Sequence, residues 1–501
     1  MATDNRRWKV LVTVAAALLL ITLDNSVLYT ALPTLVRDLG ASNSQGLWII
    51  NAYPLVMAGL LLGAGTLGDR IGHRQMFLGG LLIFGLASVV AAFAPSAALL
   101  IGARGLLAVG AAAMMPATLA LIRITFEDQR ERNLAIAIWG SISIVGSALG
   151  PIAGGLLLEH FWWGSVFLIN VPVVVAAFAG ALVFTPHSRP DVSRPWDLLS
   201  SVQVLVALSG LVFAIKQAAH APPSWPTAGA ALAVALIAGL LFARRQSRLA
   251  YPLLDFAIFR NPAFLAGVLA AAFAMFAVGG VQLITTQRFQ LVAGFSPLQA
   301  GLLVSSLAVG ALPSAMLGGA VLHRSGLLPL MGGGMLVALL GVLLTIAGLD
   351  ASLGWMIAGL VLTGFGLGAV MSVASSAIVG NAPPQRAGMA SSVEEVSYEF
   401  GSLIAVALLG SLLAVLYSAG VELPANAPQA AREGLAQALA LASADSVSGP
   451  AIAQAAARAF DRSYLVVMSV IAGVLLLGTL ATAWLLRRHG PGSESFSTSA
   501  H

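Results

Sequence analysis

GTLGDRIGHR, residues 65–74, places three charged side chains, Asp69, Arg70 and Arg74, between two long uncharged runs. No Asp, Glu, Lys or Arg occurs from Leu39 to Gly68 or from Gln75 to Ala103. A helix needs about 20 apolar residues to cross a bilayer, so this decapeptide joins two spans at an aqueous face. Gly65 and Gly72 are expected to let the turn be tight. A degenerate copy, GAVLHRSG, fills 319–326. There Gly319, Arg324 and Gly326 match Gly65, Arg70 and Gly72 at an offset of 254 residues, 319 minus 65. The chain reads as a duplication.

Composition points the same way. The 501 residues are 58% hydrophobic and only 9% charged, with a mean hydropathy of +0.93, which defines an all-α polytopic membrane protein. A membrane barrel would instead show short alternating segments. With no cysteine, disulfides, thiolate metal sites and cysteine nucleophiles are excluded together. The net charge of +5 comes from bases scattered among loops, which read as topology signals and not as a nucleic-acid surface. The first apolar run carries Asp24 and continues past signal-peptide length, so it is expected to remain as a span.

Taken in order, Arg6, Arg7 and Lys9 put the N-terminus in the cytoplasm by the positive-inside rule. Six spans follow, near 10–32, 46–67, 76–93, 98–122, 134–158 and 161–184. A proline-broken linker then carries Arg189 and Arg194. Two further runs, 198–215 and 227–243, precede a second basic linker with Arg244, Arg245, Arg248 and Arg260. The last six spans fall near 263–285, 297–321, 329–349, 353–378, 391–417 and 463–486. Arg132, after span four, maps at the offset of 254 onto Arg386, after span twelve. Spans seven and eight are therefore an insertion between two six-helix halves. The expected domains are 1–188, the N-terminal half; 189–262, the inserted pair and its linkers; 263–486, the C-terminal half; and 487–501, a cytoplasmic tail. The external segment 418–462 contains AREGLAQALALASA, which has helical periodicity and suits a short amphipathic hairpin, with a disordered spacer as the alternative. Two halves related by an axis along the membrane normal are a transporter architecture.

Several motifs then carry a resemblance. The 65–74 stretch resembles the signature loop of the major facilitator superfamily, and LDNSVLYTALP (23–33) resembles the first-span motif of its fourteen-span drug:proton antiporter family. GSALGPIAGG (146–155) matches the family's span-five antiporter motif at Gly146, Gly150, Pro151, Gly154 and Gly155. WWGSVFLINVP (162–172) resembles the start of span six, in the variant seen in exporters of methyl viologen and quaternary ammonium ions. In span four Arg104 and Gly110 stand, while Leu107 and Ala108 replace the family's Gln and Gly. The resemblance implies the major facilitator fold with two inserted helices, fourteen spans in all. It also implies proton-driven export by alternating access, in which Gly65, Asp69, Arg70, Gly72, Arg74 and the span-five motif gate the cycle. Asp69 is expected to cap the N-terminus of span thirteen.

The residues themselves agree. An ionisable group inside a span costs about 2.5 to 3.5 kcal/mol on insertion scales, so Asp24 and Arg104 need a partner or a wet cavity. A carboxylate that meets Arg104 in only one conformation binds and releases a proton as the transporter cycles; a static packing hydrogen bond is the alternative. Glu394, Glu395 and Glu399 form a second acidic group in span thirteen. Glu395 and Glu399 share a helix face, and Glu399 is expected to lie deepest. Glu394 and Glu395 have the alternative of facing cytoplasmic water at a helix N-terminus. Trp48, Tyr53, Trp139, Phe276 and Tyr398 lie within spans, where rings either pack or bind cations. Trp48, Tyr53 and Tyr398 stand out because they flank Asn51 and Glu399.

Proton coupling is accordingly expected at Asp24, Arg104, Glu395 and Glu399. Substrate contact is expected at Asp24, Trp48, Asn51, Tyr53, Glu394, Glu395, Tyr398 and Glu399. No Walker loop or metal constellation is present, so the expected energy source is the proton gradient, with no cofactor, metal, ATP or nucleic acid. The expected protein is a monomer in the cytoplasmic (inner) membrane of a bacterium, with both termini cytoplasmic, and not an enzyme. Its substrates are lipophilic cations. The alternatives are export of a metabolite on the same fold and a non-transporting membrane receptor.

Overall fold

The computed structural model describes residues 2–186, 190, 196–219, 223–382, 386–424, 427–444 and 448–487. Arg189, Arg194, the 188/189 boundary and the tail after His489 lie outside the described residues. In hydrocarbon every backbone N–H and C=O must be satisfied within its own segment, so uncharged runs of this length become helices. Fourteen helices among the described residues are long and apolar enough to cross a membrane. In order they are α1 (Ala2–Asp38), α2 (Asn43–Ile71), α3 (His73–Ala92), α4 (Ala97–Thr125), α5 (Gln129–His160), span six as α6 (Ser165–Leu168) and α7 (Asn170–Phe184), α8 (Leu198–Ala218) and α9 (Trp225–Gln246). There follow α10 (Pro262–Leu291), α11 (Pro297–Ser325), α12 (Leu327–Ala351), α13 (Leu353–Val379), α14 (Ala387–Gly420), the short α15 (Leu435–Ala444) and α16 (Gly449–Leu486).

The duplication is written in the backbone. Helix α2 begins at 43 and ends at 71, and α11 begins at 297 and ends at 325, both at the offset of 254. Each is opened by the same reciprocal cap. Ser42 Oγ accepts from Gln45 N at 3.2 Å while Ser42 N donates to Gln45 Oε1 at 2.9 Å. Ser296 and Gln299 repeat this at 3.2 and 3.0 Å. Two orphan donors of a helix start are satisfied in each case. The positive-φ glycines among the described residues also pair at this offset, Gly40 with Gly294 and Gly72 with Gly326.

The junction at 65–74 is tighter than a loop. Asp69 and Arg70 sit in the last turn of α2, His73 opens α3, and Gly72 alone turns the chain, at φ +98°. Only glycine visits that region freely. Gly65, expected to shape the turn, is instead inside α2, and Gly319 is likewise inside α11. Several helices also run beyond the expected spans. Helix α16 begins at Gly449, not near 463; its 38 residues extend about 57 Å at 1.5 Å each, against a hydrocarbon core of about 30 Å. Its first turns carry α15 against them, with Gly449 close to the carbonyl of Ala442. That gives the expected external helical element a packed form.

The chain divides into two compact units, Met1–Leu211 with Ala233–Leu253 and Ser296–Gly301, and Val212–Leu232 with Leu254–Phe295 and Leu302–His501. In the first, α1 packs on α5 and α7, α2 on α4, and α3 on α4 and α7. In the second, α10 packs on α14, α16 and α13, and α12 on α13 and α16. Each of the inserted helices α8 and α9 contributes residues to both units.

Within the first unit α8 lies on α2 through two glycines one turn apart. A Cβ on Gly59 would stand 3.0 Å from Leu205 Cβ, and one on Gly63 would overlap Ser201 Oγ. Small residues at four-residue spacing let helix backbones approach in a bilayer. The start of α8 and the end of α9 are tied by Arg245, whose Nε and Nη2 both lie 3.0 Å from Asp197 oxygens, and by Gln246 Nε2, which donates to Ser200 Oγ at 2.6 Å. Burial alone would raise the Asp197 carboxyl, but the bonds from Arg245 and Ser200 outweigh it and hold it below the ordinary carboxylate value.

Candidate functional site

Asp24 lies near the middle of α1 and Arg104 in the first third of α4, and both are 0% exposed. The structure pairs them directly: Arg104 Nη1 donates to Asp24 Oδ2. Arg104 Nε donates to the carbonyl of Ile49 at 3.3 Å, and its guanidinium lies over the ring of Tyr53, 4.6 Å from the centroid. The second carboxylate oxygen, Oδ1, accepts from Asn170 Nδ2 at 2.8 Å, and the same Nδ2 lies 3.2 Å from Ser88 Oγ. Five helices thus converge on one carboxyl: α1 supplies it, α4 the cation, α2 a ring and a carbonyl, α7 an amide and α3 a hydroxyl. Two opposite charges with hydrogen bonds around them are the form in which a buried pair is tolerable.

Asn170 and Ser88 were not legible as site residues. Asn170 stands at the break in span six, where Pro172 lacks the N–H that would bond the carbonyl of Leu168. The signal available was the Asn-Val-Pro tripeptide, a polar side chain beside a proline within an apolar run.

The span-five motif behaves as small-residue packing predicts. Ala at Gly146 would collide with Thr22 Oγ1, at Gly150 with Ser26 Oγ, and at Gly154 with Val27. Gly155 meets the backbone of Leu298, and Pro151 lies inside α5 with its carbonyl against Gly301. Helix α5 is therefore seated along the α1 face next to Asp24.

At the α2–α3 junction, Asp69 Oδ1 lies 3.1 Å from His73 Nε2. Arg74 donates to the carbonyl of Leu182 at 2.7 Å and to Thr185 Oγ1 at 3.2 Å, fixing the start of α3 to the end of α7. Arg70 is half-buried in the last turn of α2.

Among the rings and amides, Tyr53, expected to face substrate, spends its face on Arg104. Asn51 is 0% exposed, and neither atom of its amide has a hydrogen-bond partner. Trp48 is half-buried. Trp139 Nε1 donates to Thr118 Oγ1 at 3.1 Å, and Phe276 is buried, so both pack within the protein.

In the second unit Glu394, 8% exposed, is the most enclosed acid among the described residues. Glu394 accepts from Ser375 Oγ of α13 at 3.1 Å and from Tyr398 OH at 3.2 Å. In place of the alternative in which it faces open water, Glu394 is a bonded carboxylate one turn from Tyr398. Glu395, Tyr398 and Glu399 are half-buried along the same helix. At its start, Arg386 Nη1 pairs with Asp255 Oδ2, as Arg7 Nη1 pairs with Glu131 Oε2 at 2.6 Å in the first unit. The two clamps have opposite polarity.

The family model of the Major Facilitator Superfamily matches residues 14–291. The chain belongs to the major facilitator superfamily. A model described as "Sugar (and other) transporter" matches 260–412. The multidrug efflux pump LfrA of Mycolicibacterium smegmatis is 38% identical over 495 residues, 96% of each chain. The methyl viologen resistance protein SmvA of Salmonella typhimurium is 38% identical over 480 residues, 94% of this chain and 97% of that one. The tetracenomycin C resistance and export protein of Streptomyces glaucescens is 35% identical, over 82% of this chain and 76% of that one. Among solved structures, a bacterial homologue of the human lysosomal transporter Spinster, inward-facing and unoccupied, has a TM-score of 0.67 at 18% identity, covering 99% of each chain. These likenesses bear out the fourteen-helix major facilitator fold and a multi-pass membrane transporter, not an enzyme.

Proposed function

We propose that this chain is a proton-coupled multidrug exporter of the bacterial cytoplasmic membrane, with both termini cytoplasmic. It takes lipophilic cations, quaternary ammonium compounds and methyl viologen among them, and exchanges them for protons by alternating access. The reading is carried by the closed Asp24–Arg104 pair, both members 0% exposed, and supported by the names of relatives alike over nearly the whole chain, a multidrug efflux pump and a methyl viologen resistance protein. In this conformation Arg104 is the counter-charge of the Asp24 carboxylate. When the cycle separates the pair, a proton from water takes the place of Arg104 on the Asp24 carboxylate. In the second unit Glu394, Glu395 and Glu399 supply negative charge for a cationic substrate and Tyr398 a ring face; in the first, Trp48 supplies a ring face and Asn51 an amide. Tyr53 serves by supporting Arg104. Gly72, the Asp69–Arg74 turn and the glycine face of α5 gate the cycle.

The test is flux in proteoliposomes under an imposed pH gradient, inside acidic, with ethidium and methyl viologen as substrates. Uphill accumulation that collapses with the gradient is expected. Equal movement with and without the gradient would refute proton coupling, and no movement of either cation would refute the substrate class.

A further inference from the structure

Asp24 is held at both of its oxygens, and only one of the two holders is charged. Arg104 of α4 takes Oδ2, while Asn170, the first residue of α7, takes Oδ1 at 2.8 Å. Asn170 is 0% exposed, and its Oδ1 has no hydrogen-bond partner. Its amide nitrogen also reaches Ser88 Oγ at 3.2 Å, and Ser88 Oγ donates to the carbonyl of Phe84 at 2.8 Å. Charge neutralisation does not need this amide, since Arg104 already supplies it. A buried amide with an unmet acceptor is costly unless its other contacts compensate.

We propose that Asn170 is the positioning residue that makes the proton occupancy of Asp24 felt at the break in span six. A hydrogen bond to an ionised acceptor is roughly twice as strong as one to a neutral group. While Asp24 is a carboxylate, Asn170 binds it firmly and α7 is drawn to α1 at its first residue. When a proton from water forms an O–H on Asp24, the pull from Nδ2 weakens and the α6–α7 junction is released. When that proton returns to water, the bond and the junction close again. The groups facing the carboxyl are Arg104 from α4, with Tyr53 of α2 across it, Ser88 from α3 and Asn170 from α7, while α5 meets this face of α1 with Gly146 and Gly150. Without Asn170 the carboxyl still meets Arg104, but its protonation no longer moves span six, so protons and substrate cease to move in fixed proportion.

This inference rests on the proton-coupled reading, and the experiment separates the two. Full-length protein is reconstituted with an internal pH indicator, and protons moved per ethidium exported are measured beside ethidium affinity. Asn170→Leu keeps shape without the hydrogen bond, and Asn170→Ala, which cannot overpack, serves if the leucine variant misfolds. Asp24→Asn is the comparison. Asn170→Leu is expected to bind ethidium within twofold of the parent while protons per ethidium fall at least twofold. An unchanged ratio, with Asp24→Asn uncoupled, overturns the role of Asn170 alone. Loss of ethidium binding in step with the ratio in both Asn170 variants makes the residue merely structural. A normal ratio in Asp24→Asn removes Asp24 from the coupling and this inference with it, and ethidium export by the parent with no proton movement removes the proton-coupled reading itself.

Discussion

Replacing Asp24 by asparagine should damage the fold and the pump by different routes, and a second substitution can separate them. The change keeps the shape of the side chain but leaves Arg104, 0% exposed, with no counter-charge. Its other contacts are neutral, the carbonyl of Ile49 at 3.3 Å and the ring of Tyr53 at 4.6 Å. Breaking a buried pair by removing one partner costs about 3–5 kcal/mol, about two to four decades in an equilibrium constant at 1.36 kcal/mol per decade. The introduced amide oxygen can still accept from Arg104, so the low end applies. Asp24→Asn should therefore reach the membrane but lose its monodisperse peak at lower temperature than the parent when detergent-purified protein is heated and run on size exclusion. Asp24→Asn with Arg104→Leu removes both charges, so it should recover most of the lost thermostability while exporting nothing. The reasoning is refuted if Asp24→Asn is as heat-stable as the parent, or if the double variant is no more stable than the single one.

Gly150→Val should stall export while Gly140→Val does not, because Gly150 lies against Ser26 and Gly140 has nothing within 4 Å. Overpacking of about 1–3 kcal/mol at the α1–α5 seam should appear as reduced export at normal expression, and equal activity of the two variants would contradict it. Ser42→Ala and Ser296→Ala each delete one capping box. Each is expected to lower stability by about 0.5–2 kcal/mol, with near-additive losses in the double variant; a neutral Ser296→Ala would show that the copy is geometric only. The Asp197 carboxyl is held below its reference value of 3.8, so what it contributes is present above that value and lost only as pH falls through the lowered one. Tryptic cutting after Arg245 should therefore run at a constant enzyme-normalised rate from pH 8 to pH 5, and a threefold rise on that approach to pH 5 would show that the tie titrates earlier.

How much of this was legible depended on the kind of signal. Charge is scarce in this chain, so each charged residue between apolar runs marks a boundary, and the spans, the inserted pair and the offset of 254 all follow from charges and glycines. Asp24 and Arg104 stood out for the same reason: in a helix crossing lipid, an ion is conspicuous. Neutral polar residues are not. Asn170 and Ser88 are ordinary letters in apolar stretches, and only the fold shows that both reach one carboxyl. The paired capping boxes were present as Ser-x-x-Gln at 42 and 296, but a search led by charge passes over them. Burial in α14 was not legible, because position along a helix does not say which face is covered: Glu394 points at Ser375, while Glu399, further along, is half-buried. Tyr53 was read as a surface for a foreign cation, whereas the cation it meets is the protein's own.

The glycine pair under α8 bears on how such a chain can be shortened. Excising 189–262 would join the two six-helix halves and strip the cover from Gly59 and Gly63. A small-residue groove left facing lipid recruits another helix, and the nearest one available in a crowded membrane is α2 of a second molecule. The inserted pair is thus expected to keep that groove from a second molecule. The excised protein is expected to cross-link as a dimer through Ala58→Cys or Leu62→Cys, in a chain with no native cysteine to confuse the result, while the full-length protein carrying the same cysteine stays single.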